Sequence, residues 1–120
     1  MLKVYFEETV LYIKILGQIQ KGDFEEKVKQ PADHIKCEYG KIRGIVIDAS
    51  EFTGWEDFPA LMEHIGFIKE MNHDVYRVAI IGDATWQKLI PGIGNLFLEP
   101  SVKRFDPGHG QEAEDWVKSW

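Results

Sequence analysis

Two short runs rich in β-branched and aromatic residues open the chain, Val4 to Phe6 and Val10 to Leu16, with only Glu7-Glu8-Thr9 between them. So short a link permits only an antiparallel hairpin. In the second run Leu11, Ile13 and Ile15 alternate with Tyr12, Lys14 and Leu16. One face is apolar and the other mixed, which predicts a strand near a sheet edge, ending at Gly17. From Asp23, the positions Phe24, Val28 and Ile35 stand among Glu25, Glu26, Lys27 and Lys29. That is the spacing of an amphipathic helix running to Tyr39-Gly40, which Pro31 must kink or divide in two.

The middle of the chain follows another pattern. Ile45-Val46-Ile47 is apolar on consecutive positions, which predicts a central strand covered on both faces. A loop from Asp48 to Glu56 follows, and then Phe58, Leu61, Met62, Ile65 and Ile68 recur at helical spacing as far as Asn72, with Pro59 in the first turn. Val78-Ala79-Ile80-Ile81 predicts a second buried strand and Gly82-Asp83 its turn and cap. Trp86, Leu89, Ile90, Ile93 and Phe97 form the face of a helix that Pro91 and Gly92 weaken. Val102 to Phe105 is a short last strand, and Gln111 to Trp120 carries Ala113, Trp116, Val117 and Trp120 at helical spacing. The order β-β-α-β-α-β-α-β-α predicts an α/β fold in which strands joined by helical crossovers lie parallel with right-handed connections. The opening hairpin makes the sheet mixed. A length of 120 residues fits one domain over 1–120 and excludes a barrel of eight βα units, which needs about 200 residues or more.

Composition narrows the function classes. The chain is 44% hydrophobic with seven Phe, four Tyr and four Trp, enough to build a core and to exclude a disordered or fibrous chain. Twenty acidic residues outweigh fourteen basic ones for a net charge of −6, and no basic cluster exceeds Lys103-Arg104, so a nucleic-acid partner is not expected. Cys37 is the only cysteine, which rules out an internal disulfide and fits a reducing cytoplasm; beside Ile35 and Tyr39 it reads as a small core residue. No apolar run approaches the roughly 20 residues of a membrane span. His34, His64, His73 and His109 show no i, i+4 pair, and Gly92-Ile93-Gly94-Asn95 lacks the strand that a phosphate loop follows. Neither a metal nor a cofactor is expected.

Certain stretches are more specific: Asp48-Ala49-Ser50-Glu51-Phe52-Thr53-Gly54-Trp55-Glu56-Asp57-Phe58, Glu63-His64, Gly82-Asp83-Ala84-Thr85-Trp86-Gln87-Lys88 and Arg104-Phe105-Asp106. With them the chain resembles the small bacterial SpoIIAA-like family, relatives of the STAS domain of anti-sigma-factor antagonists, whose fold is also compared with Sec14-type lipid carriers. The resemblance covers nearly the whole chain. It implies a four- or five-stranded sheet with helices packed on it, and no reaction. In the antagonist branch a hydroxyl in an Asp-Ser-Ser/Thr-Gly stretch after the central strand is phosphorylated as a switch. Glu56, Asp57, Phe58 and Pro59 align there, so a switch of that type is not expected, although Ser50 and Thr53 lie upstream.

Asp48 and Asp83 each fall at the carboxyl end of a predicted parallel strand, beyond which ligands of open α/β sheets bind. One reading is an acidic pocket walled by Ser50, Thr53, Trp55 and Trp86, able to hold a cation or a polar ligand. The other is that Asp83 caps the helix starting at Ala84 while Asp48 ties down its own loop, the ordinary chemistry of Asp at such junctions. Trp55 and Trp86, which bury about 150 to 250 Å² each, either wall an apolar pocket or lid the core. His64 with Glu63 or Asp57 suggests acid–base work only weakly, because no Ser or Cys sits in the setting of a known nucleophile. Phe67 and Met71 lie off the inward stripe of their helix, as do Leu96 and Leu98 of the next. They pack on neighbouring helices or form a patch for self-association or an apolar ligand. The expectation is a non-catalytic binding or protein-interaction module, with an apolar or lipid-like small molecule or a protein as partner and a homodimer as a further possibility. The alternative is a cation-dependent enzyme or phosphate handler using Asp48 and Asp83.

Overall fold

The structure, a computed structural model, describes residues 2–55, 63, 74–82 and 101–119, with the backbone alone at 54, 55, 101 and 102. The predicted helices over 58–72 and 84–98 lie outside these residues except at Glu63, which is helical. Five strands, β1 (Leu2–Glu7), β2 (Val10–Ile19), β3 (Ile42–Trp55), β4 (Val75–Ile81) and β5 (Ser101–Phe105), form one sheet in that spatial order. β1 and β2 are antiparallel, and every other neighbouring pair is parallel. This is the mixed α/β sheet that the hairpin and the crossovers demand. Helices α1 (Asp23–Lys27) and α2 (Lys29–Tyr39) cross from β2 to β3, and α3 (Gly110–Lys118) closes the described chain.

Side-chain alternation sends the strands' residues into two cores. Leu11, Ile13, Ile15, Ile45, Val78 and Ile80 meet Phe24, Val28, Ala32 and Ile35 of α1 and α2 on one face. Tyr12, Val46, Ala79, Ile81 and Phe105 meet Ala113 and Val117 of α3 on the other. Apolar residues on consecutive positions of β3 and β4 thus serve both faces, as read from the sequence. Gly44 is what lets α3 approach: a Cβ there would stand 2.7 Å from the Cβ of Val117.

Three expectations change, at Gly17, at Asp48 to Trp55 and at Cys37, while the helix over 23–39 divides in two as expected, at Val28, three residues before Pro31. A proline ring clashes with the carbonyl four residues earlier, that of Lys27, so the break falls there and Pro31 itself rides in the first turn of α2, where its missing N–H costs nothing. β2 does not end at Gly17. It continues to Ile19, with Gly17 at φ 71 absorbing a bend. The segment from Asp48 to Trp55 is strand rather than loop, because the extended β2 gives it a parallel partner. Cys37 is exposed: the buried face of α2 is that of Ala32 and Ile35, and Cys37 lies about 200° from Ile35 at 100° per residue.

The close packing at Gly44 yields a first prediction. Gly44→Ala should destabilise the protein by about 1 to 3 kcal/mol through overpacking against α3, measured by urea unfolding. The double variant Gly44→Ala/Val117→Gly, which removes the Val117 Cβ itself, should cost less than the sum of the two single changes; strict additivity would contradict the contact.

Candidate functional site

Two β-bulges shape the carboxyl half of β3. Between Lys14↔Asp48 and Leu16↔Glu51 the register takes three steps on β3 for two on β2, and between Gly17↔Phe52 and Gln18↔Gly54 it takes two for one. Each extra residue turns the following side chains to the opposite face, which is how even-numbered Phe52 reaches the same core as odd-numbered Ile45 and Ile47. The first bulge is held by Asp48. Its Oδ1 accepts from the Ser50 hydroxyl at 2.6 Å and the Ser50 N–H at 3.1 Å.

Asp48 is therefore not at the end of its strand. It is the last residue of β3 opposite β4, paired with Ile81, and beyond it β3 runs on beside β2 to Trp55, opposite Ile19. Ser50, Glu51 and Thr53 are exposed along this extension, with Lys14 3.5 Å from Glu51. The structure thus brings Asp48 and Ser50 together, sets Thr53 at the second bulge and puts Trp55 at the strand's end. Asp83 and Trp86 lie outside the described residues. Next to Asp83 in sequence, Gly82 is tied from both sides: its N–H donates to the Phe105 carbonyl at 3.0 Å and its carbonyl accepts from Arg104 at 2.9 Å. Arg104 also donates to Asp106 at 2.7 Å, and this hydrogen bond, reinforced by the guanidinium charge, holds the Asp106 carboxyl below the usual carboxylate range.

The Glu63 carboxylate accepts the N–H of Gly22 at 2.7 Å, at the start of α1, while His64 and Asp57 lie outside the described residues. Among the described residues no group of three or more His, Cys, Asp and Glu side chains is placed to hold a metal ion, and no helix is long and apolar enough to cross a membrane.

A polar cluster that the sequence reading passed over lies between β2 and α3. The Tyr12 hydroxyl donates to Glu114 Oε1 at 2.9 Å, and Lys118 Nζ donates to the same oxygen at 2.7 Å. Burial, followed by the bond to Glu114, pushes the Tyr12 phenol up to about 12. Glu114 is held down by Lys118 and then by Tyr12, and Lys118 is raised chiefly by Glu114. The signal for it was the i, i+4 pair Glu114/Lys118 on a helix, combined with a tyrosine on the mixed face of β2. Farther along α3, Arg77 of β4 donates to the Trp116 carbonyl at 2.7 Å and stacks over the Trp116 ring at 4.9 Å. A cation there satisfies an end-of-helix carbonyl and opposes the negative end of the helix dipole.

Against this geometry, comparison with known proteins is direct. The SpoIIAA-like family model matches residues 10–118. A crystal structure of an uncharacterised protein with a SpoIIAA-like fold from Shewanella loihica PV-4 superposes with a TM-score of 0.69 at 22% identity, covering 98% of this chain and 92% of that one. The anti-sigma factor antagonist SpoIIAA in its unphosphorylated form superposes with a TM-score of 0.65 at 12% identity over 100% of both chains. Among functionally curated proteins no significant match was found.

The Tyr12 cluster predicts alkaline sensitivity. Because the folded phenol titrates above its ordinary 10.0, the folded state binds more protons than the unfolded state at high pH. Its stabilising contribution is complete below pH 10.0 and is lost as pH rises toward about 12. An ultraviolet tyrosinate titration should show one of the four tyrosines ionising last, and Tyr12→Phe should remove that step while flattening the alkaline fall in stability. A last step that survives in Tyr12→Phe contradicts the assignment. A fold shared from the β2 hairpin strand to α3 and a family match over residues 10–118 lead to one identification: the chain belongs to the SpoIIAA-like family.

Proposed function

We propose that the chain is a single, non-catalytic protein-interaction domain of the cytoplasm, and that its partner docks on the exposed extension of β3. The observation that carries this reading is the pair of bulges that projects Ser50, Glu51 and Thr53 to solvent beyond the last residue paired with β4. Bulges are enriched beside functional sites because they re-aim side chains there. Membership in a family whose structural relatives include an anti-sigma factor antagonist supports a protein as the partner. Glu56, Asp57, Phe58 and Pro59 carry no hydroxyl, so docking is constitutive rather than phospho-switched in the antagonist manner. A small apolar or lipid-like ligand beside Trp55 and Trp86 is a lesser version of the same module. The cation-dependent alternative uses Asp48 and Asp83, and Asp48 already directs a carboxylate oxygen to Ser50.

A photoreactive residue substituted at Thr53 should trap a discrete protein in the native host, whereas the same residue at exposed Glu25 on α1 should not. Esters, phosphates and nucleotides should show no turnover, and millimolar Mg²⁺ should leave the melting temperature unchanged. Turnover abolished by Asp48→Ala, or a Mg²⁺-dependent rise in melting temperature lost in Asp48→Asn, would overturn the proposal in favour of the alternative.

A further inference from the structure

β1 is the first strand of the sheet and, among the described residues, pairs only with β2. Its exposed side chains are Lys3, Tyr5, Phe6 and Glu7, with Tyr5 61% and Phe6 41% exposed. Large aromatics on an edge strand are unusual, because unpaired backbone groups beside apolar side chains invite another strand.

The direction of the backbone groups on that edge follows from the register. The N–H of Arg43 on the β3 side donates to the Thr9 carbonyl at 2.9 Å, so odd-numbered residues of β2 direct their backbone groups to β3 and even-numbered ones to β1. Val10, Tyr12 and Lys14 therefore bond to Glu7, Tyr5 and Lys3, their partners across the hairpin. This leaves Leu2, Val4 and Phe6 with N–H and C=O groups aimed outward. A strand added there must oppose outward-facing residues with outward-facing ones.

From this we infer that β1 pairs antiparallel with β1 of a second copy of the chain, about a two-fold axis through Tyr5, making one continuous sheet of ten strands. In this register Val4 opposes Phe6 of the other copy and both exchange backbone hydrogen bonds. Tyr5 opposes Tyr5, and Lys3 opposes Glu7. The two charges at the ends of the exposed row, which on a lone edge would discourage pairing, become two symmetric ion pairs. Tyr5 already lies stacked on Tyr12, with ring centroids 4.6 Å apart and planes 6° apart, so the axis lines up four rings. Shifting the axis to Val4 sets Lys3 against Tyr5, and shifting it to Phe6 sets Glu7 against Tyr5, so both lose the ion pairs. The opposite edge fits less well: β5 is short and carries Lys103 and Arg104, and a β1-to-β5 contact would be head-to-tail and would not close as a dimer.

The test is a charge exchange followed by analytical ultracentrifugation of the full chain, with circular dichroism confirming that each variant is folded. Wild type should sediment as a dimer of the 13.9 kDa chain. Lys3→Glu and Glu7→Lys should each weaken association about tenfold or more, since each turns two attractive pairs into like-charge pairs. The double variant Lys3→Glu/Glu7→Lys should restore it. A monomeric wild type over about a hundredfold range of micromolar concentration, a dimer indifferent to both single reversals, or a double variant that stays monomeric would each overturn the inference. Capture of a partner at Thr53 is independent of all these outcomes, so failure here leaves the docking role of β3 standing.

Discussion

β3 has to be covered on two faces and paired on two edges at once, and most of the molecule is arranged around that requirement. Ile42, Ile45 and Val46 are buried, and their strand lies between β2 and β4 with parallel partners on each side. Parallel neighbours cannot be joined by tight turns, so each junction needs a crossover of a dozen or more residues. The crossover into β3, α1 and α2, is the cover for one face. The other face has no crossover in the described chain to serve it. It is covered by α3, which comes from the far end of the sequence and seats on Gly44.

That arrangement explains where polar groups are spent. α3 approaches a sheet face containing Tyr12, and a buried phenol needs a partner. Glu114 supplies it and is itself neutralised by Lys118. Arg77 performs the matching task near the helix end by accommodating the Trp116 carbonyl. The helix is positioned by the packing of Ala113 and Val117 and by the hydrogen bonds made to Glu114 and to the Trp116 carbonyl. The Arg104 contacts do the same for the end of β4, where Gly82 passes close to the Ala49 carbonyl.

The five strands along the chain, the hairpin and the two covered strands were legible because side-chain period reports which faces are buried. Ile45-Val46-Ile47 could mean only burial on both sides. The carboxyl half of β3 was illegible for the same reason: two bulges interrupt the period of two, so Asp48 to Trp55 has the composition and rhythm of a loop while holding strand geometry. Gly17 misled in a related way, since a glycine that ends one strand and a glycine that bends another look identical in sequence. Cys37 was misplaced by its neighbours, Ile35 and Tyr39, which stand one turn apart on a side of α2 that Cys37 does not share. Of the candidate residues, Asp48 and Ser50 are joined by hydrogen bonds that their proximity in sequence allows. The Tyr12 cluster escaped because its members stand 102 residues apart, and only the docking of α3 joins them.

Where cover stops, recognition can begin. Both faces of the described sheet carry helices, and among the described residues the β1 edge and the stretch of β3 that outruns β4 offer two contrasting surfaces. These differ in kind. On the β1 edge the backbone is regular and its outward groups repeat every second residue, which suits pairing with another strand. Along the β3 extension the bulges break that repeat and turn side chains outward, which suits recognition by side chains rather than by a strand ladder. Asp48 marks the boundary between the two behaviours of β3: up to it the strand is core, and immediately after it the Ser50 amide and hydroxyl turn back to its carboxylate instead of continuing the ladder. A carboxylate used in this way fixes the geometry of the residues that follow, so a role for Asp48 in shaping the surface stands on firmer physical ground than a role in chemistry.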